Sequence, residues 1–138
     1  MGYSYSIDET RELATVIWTG DVLPEHAGDA IRAVAQDPRC KPHFRRLVDM
    51  RAARVQIPKH ENRELAAAKS EATPTFGGVK HGKTAIVVGD ELSFGIASQY
   101  AAYSELQGVP TEVFKDIAAA EVWLELGKSS DAGAALRR

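Results

Sequence analysis

The run Thr84-Ala85-Ile86-Val87-Val88 constrains the fold more than any other stretch of the chain. It is continuously apolar and β-branched, with no polar residue at alternate positions. Such a strand is buried on both faces, as the inner strands of parallel sheets are. Gly89-Asp90 then turns the chain into a helix with Asp90 as its N-cap, running to about Gln107 and stopped by Gly108. On this helix Leu92, Ile96, Tyr100 and Tyr103 form a stripe, with Phe94, Ala97 and Ala101 beside it.

The remaining elements supply the layers that such a strand needs. Tyr3 to Ile7 alternates apolar residues with serine, and Leu13 to Thr19 is β-branched and ends at Gly20; together they predict an antiparallel hairpin. Asp21 to Gln36 predicts a helix, with Pro24 in its first turn and Ala27, Ala30, Ile31 and Val34 on one face. Phe44 to Met50 predicts a buried strand flanked by arginines. A helix opening at Ile57-Pro58 and reaching about Ser70 follows, then a loop over 71–82. Thr111 to Phe114 predicts a last short strand, and Asp116 caps a final helix carrying Val122, Trp123, Leu124 and Leu126. The order β-β-α-β-α-β-α-β-α predicts a single α/β domain over residues 1–126. Its mixed, mostly parallel sheet of about five strands has helices packed on it, with the first strand as the antiparallel exception at an edge. Residues 127–138 read as a frayed tail.

A chain of 138 residues can bury such a core without disulfides or metals. A formal net charge of -2 gives no global field for nucleic acid or anionic lipid. The basic cluster Arg39, Lys41, Arg45, Arg46, Arg51, Arg54 and Lys59 reads as a solvated face around one strand. The single cysteine, Cys40, excludes an internal disulfide and reads as an inert thiol in a loop. No signal peptide and no apolar run of membrane-spanning length is present, so a cytoplasmic location is expected.

One motif matches a known chemistry on paper. Gly77-Gly78-Val79-Lys80-His81-Gly82-Lys83-Thr84 satisfies the phosphate-loop pattern, whose functional residues would be Gly77, Gly82, Lys83 and Thr84. That loop must follow a strand and open a helix, because the helix N-terminus supplies positive potential. Here Lys83 and Thr84 begin a strand instead, so a Gly-rich connection is the preferred reading. His26, His43, His60 and His81 are scattered, without metal-ligand spacing, and no G-x-S-x-G elbow surrounds the serines. Neither a metal nor a cofactor is expected, and no catalytic set is found.

The default binding site of an open α/β sheet lies at the carboxyl ends of strands, near a topological switch. That places Asp49, Met50, Arg51, Asp90 and Glu91 at a candidate site. Phe94, Tyr100 and Tyr103 could add an apolar groove or a self-complementary patch. The bland alternatives are an Asp49–arginine pair and helix capping by the adjacent acids.

The element order, together with Leu47-Val48-Asp49-Met50-Arg51, Ala85-Ile86-Val87-Val88-Gly89-Asp90, Phe94-Gly95-Ile96-Ala97 and Glu112-Val113-Phe114-Lys115-Asp116, resembles the STAS/SpoIIAA-like group. This group comprises relatives of anti-sigma-factor antagonists and overlaps with the STAS/SEC14 domain proteins. The resemblance covers about residues 3–126. It implies a non-enzymatic regulatory or binding role, with a protein partner or a small apolar ligand. A lipid or small-molecule carrier and a nucleotide-binding protein are the alternatives, and a two-fold homodimer suits a small regulatory domain. In the antagonist proper a phosphorylatable serine opens the helix after the third strand. Residues 49–58 of this chain contain neither serine nor threonine, so that switch is not expected here.

Overall fold

The apolar residues of the strands separate into two cores, one on each face of a single sheet. In this computed structural model the described residues are 2–58 and 82–126, together with 61, 63, 64 and 67. The strands are β1 (Gly2–Asp8), β2 (Leu13–Val22), β3 (Arg45–Val55), β4 (Thr84–Val88) and β5 (Thr111–Phe114). The helices are α1 (Pro24–Gln36), α2 (Glu91–Leu106) and α3 (Ile117–Trp123). The sheet order is β1-β2-β3-β4-β5, with β1 antiparallel to β2 and every later pair parallel. The mixed, mostly parallel α/β sheet is therefore as the sequence predicts.

The strand order carries a consequence for the helices. Each parallel connection moves to the next strand in the same direction. Right-handed crossovers then place their helices on one face. Ala30 and Val34 of α1 and Ala97 of α2 accordingly share a core with Val16, Trp18 and Val22 of β2, Met50, Ala53 and Val55 of β3, and Ile86 and Val88 of β4. On the opposite face Leu13, Leu47, Ala85 and Val87 pack against Ala120 and Leu124 at α3. β4 is buried at every residue because it lies beneath both layers.

Several boundaries differ from the sequence reading. β2 continues past Gly20 to Val22 and β3 continues past Met50 to Val55, because the two strands keep pairing as far as Val22–Val55. Between Ile17–Asp49 and Thr19–Ala52 β3 carries an extra residue. That bulge lets Met50, Ala53 and Val55 all face the α1–α2 core. Helix α1 begins at Pro24 and not at Asp21, which is held in β2. The stripe expected on α2 is also corrected. Its buried residues are Ser93, Ala97, Ala101 and Ser104, whereas Leu92 is 72% exposed. Small side chains let this helix approach the sheet closely, and the larger ones flank the contact.

Of the helix expected up to about Ser70, Ile57 and Pro58 have no regular structure, and Glu61, Arg63, Glu64 and Ala67 are helical. Its other positions, most of the loop over 71–82 including Gly77, and the tail over 127–138 lie outside the described residues.

Candidate functional site

The strand alternation that makes the cores also sorts the arginines of β3. Arg45 faces the α3 side, where its guanidinium donates to the carbonyls of Leu124 at 2.7 Å, Glu125 at 3.0 Å and Arg11. Arg46 faces the α1–α2 side and is only 5% exposed. Its Nη2 lies 3.7 Å from Cys40 Sγ, and its Nη1 has no hydrogen-bond partner. No described carboxylate forms an ion pair with it. The basic cluster is thus not one solvated face. Arg39 is paired with Asp37, Arg51 with Asp49 and Arg54 with Asp21, while Arg46 is inside the protein.

Arg46 lines a cavity of about 110 Å³ between the helices and the sheet. Its walls are the apolar faces of α1, β2, β3, β4 and α2, including Ala30, Trp18, Met50, Ile86 and Ala97. The polar side chains on the wall are Arg46, Thr84 and Tyr100. Arg46 and Thr84 are register partners at the amino-terminal ends of their strands, so they lie side by side. Val22, Val55 and Ile57 line the cavity from the carboxyl-terminal side of β2 and β3. The cavity therefore has a polar end and an apolar end. Burial pushes the Tyr100 phenol up to about 12, with the Ser104 hydroxyl and the Arg46 charge acting the other way.

Of the residues expected at the candidate site, Met50 from the strand end and Tyr100 from the helix groove belong to this cavity. The others serve different contacts. Arg51 closes on Asp49 with two side-chain hydrogen bonds of 2.9 and 2.8 Å, which hold the Asp49 carboxyl below its ordinary range. Asp90 accepts from the Ser93 amide at 2.8 Å and from its hydroxyl at 3.2 Å, and Ser93 Oγ accepts from the Val55 amide at 3.1 Å. Glu91 pairs with Lys115, whose ammonium lies 5.0 Å from the Phe94 ring centroid. Tyr103 carries Arg63 over its ring at 5.5 Å. The strand-end site has no topological switch to form it, since the strand order never reverses. The bulge also closes on Gly89, where a Cβ would stand 2.5 Å from the Arg51 carbonyl oxygen.

Gly82, Lys83 and Thr84, the phosphate-loop residues that are described, have structural occupations. Lys83 Nζ donates to the Trp123 carbonyl at 3.2 Å, pairs with Glu125 at 3.3 Å and lies 5.1 Å from the Trp123 ring centroid. Thr84 is the first residue of β4, with its side chain buried. Gly82 is required by packing, because a Cβ there would stand 2.2 Å from the Phe44 carbonyl oxygen. Lys83 and Thr84 lead into β4 and not directly into a helix. Among the described residues no group of three or more His, Cys, Asp or Glu could hold a metal ion. No helix among them is long and apolar enough to cross a membrane.

No protein-family model matches the chain, and no curated protein does. A solved structure does match: an uncharacterized protein of the DUF3478 family from Shewanella loihica PV-4, described as having a SpoIIAA-like fold. The two align over 89% of this chain and 94% of that one, at a TM-score of 0.55 and 15% sequence identity. The fold is SpoIIAA-like. At this identity the likeness concerns the fold alone. The cavity lies under α1 and α2 on one face of the sheet and runs from Arg46 and Thr84 to Val22 and Val55. The sequence reading missed it because its walls come from five separate elements. The one local signal was Arg46, an arginine at an inward position of a strand otherwise reading as buried.

Proposed function

We propose that this chain is a non-enzymatic binding module whose ligand is a small apolar molecule seated between the α1–α2 layer and the sheet. The observation that carries this reading is the cavity itself. Its volume of about 110 Å³ is of the same order as the ~150 Å³ apolar cavity that, engineered into another protein, takes up benzene. Predominantly apolar walls with a few convergent polar groups are the usual make-up of a small-molecule site.

The chemistry of the lining favours binding over turnover. Among the described residues its ionisable groups are one arginine, which does not release its proton, and one tyrosine whose pKa lies far above neutrality. A general acid or base works best with a pKa near the operating pH, and neither group has one. The nucleotide-binding alternative has little support, since Lys83 is occupied by the end of α3.

The test is a titration of the protein with 1-hexanol, followed by methyl and amide NMR. The expected result is saturable shifts centred on Val16, Trp18, Met50, Ile86 and Ala97. Shifts that do not saturate, or that spread over the outer surface, would overturn the proposal.

A further inference from the structure

We infer that the ligand of this cavity is an apolar carboxylate, with its acid group held by Arg46. The inference rests on the binding role proposed above and names the chemical class of the ligand. A guanidinium carries five N–H donors and stays charged at any pH that a protein meets. At 5% exposure water does little for it, and a buried charge without a partner is costly. Yet the contact given to its head group is a long one to Cys40 Sγ, and Nη1 has no partner. The adjacent Arg45, in the same strand, has three carbonyl acceptors. Among the described residues, then, one arginine has its acceptors and the cavity-lining one is short of them.

A carboxylate supplies what is missing, because its two oxygens match the guanidinium fork. Thr84 stands beside Arg46 in register, and the Tyr100 phenol stays protonated at neutral pH as a further donor. The apolar end, toward Val22, Val55 and Ile57, would then take the tail. The volume favours a short aliphatic or single-ring acid over a long-chain one.

The experiment compares hexanoate with 1-hexanol, which share a tail and differ in the head group, by NMR titration at neutral pH. The wild-type protein should bind hexanoate about tenfold or more tighter, as expected for charge-assisted hydrogen bonds away from water. In Arg46→Met that preference should vanish, with 1-hexanol binding kept. Hexanoate labelled at the carboxyl carbon gives a readout that needs no variant. Its carboxyl pKa should fall on binding, because the neighbouring cation favours the ionised form. Equal binding of both compounds, an unshifted carboxyl pKa, or hexanoate binding unchanged in Arg46→Met would each overturn this inference and leave the apolar site standing. Failure of both compounds to bind would overturn the site as well.

Discussion

The two faces of the sheet solve the same problem differently. On the α3 face the apolar residues Leu13, Leu47, Ala85, Val87, Ala120 and Leu124 close on one another, and the cations Arg45 and Lys83 are bound to the carbonyls that end α3. Carbonyls at a helix C-terminus lack intrahelical donors, so these cations complete the helix while holding it to the sheet. On the α1–α2 face the helices leave a cavity, and Nη1 of the arginine reaching it has no hydrogen-bond partner. The difference teaches that the first face is closed by packing and by cation–carbonyl contacts, whereas the second retains room beside a guanidinium nitrogen without a partner, which is what the proposed binding role draws on.

The largest expected effect falls on the stability face. Leu124 is fully buried where the chain leaves α3. Leu124→Ala should lower stability by about 3 kcal/mol, the usual range for a core leucine truncation, read from urea unfolding midpoints. It should leave hexanol binding intact. Loss of the ligand site in a variant that is still folded would break the division between the faces.

Next in size is an alkaline effect on the cavity side. Burial raises the Tyr100 pKa to about 12, against an ordinary value of 10.0. The native state therefore holds this proton more tightly than the unfolded chain does. Its contribution is complete below pH 10 and is lost as pH rises toward 12, by about 2–3 kcal/mol in total. The stability difference between the wild type and Tyr100→Phe should accordingly change by that amount across this interval and stay flat below pH 9. A difference independent of pH would mean that the phenol is not sequestered.

The neighbouring arginines give the sharpest contrast. Arg45→Met removes a donor from the carbonyls of Leu124, Glu125 and Arg11, and should cost about 1.5 kcal/mol. Arg46→Met exchanges an uncompensated buried charge for an apolar chain, so in the absence of ligand it should be neutral or stabilising. Equal losses in thermal melts of the two variants would remove the basis for treating Arg46 as a residue kept for binding.

Much of the sheet was legible because burial writes itself into a strand locally. The unbroken apolar run of β4 announces two covering layers, and Pro24, Asp90 and Asp116 mark where helices start. What was not legible depends on pairing between distant segments. The extension of β3 to Val55 comes from its partner β2, and the bulge that aims Met50 and Ala53 inward leaves no local mark. The buried stripe of α2 was misread for a related reason. Hydrophobicity favours Leu92, but closeness to the sheet selects Ser93, Ala97, Ala101 and Ser104. The phosphate-loop match shows the converse. Gly82 and Lys83 satisfy a motif because of packing against Phe44 and Trp123, which a motif cannot distinguish from chemistry.

The smallest effect belongs to the joint between α2 and the sheet. Asp90 caps the helix through the Ser93 amide, and its second oxygen fixes the Ser93 hydroxyl that accepts from Val55. One carboxylate thus ties the first turn of α2 to the end of β3 on the cavity side. Asp90→Ala should cost about 1 kcal/mol, the ordinary value of an N-cap. The distribution of the loss matters more than its size. Amide exchange should speed up at Ser93 and Val55, while the amides of Ala120 and Leu124 change only as much as global stability does. A uniform change on both faces would mean that the sheet transmits the loss of the cap and that its two sides are not independent.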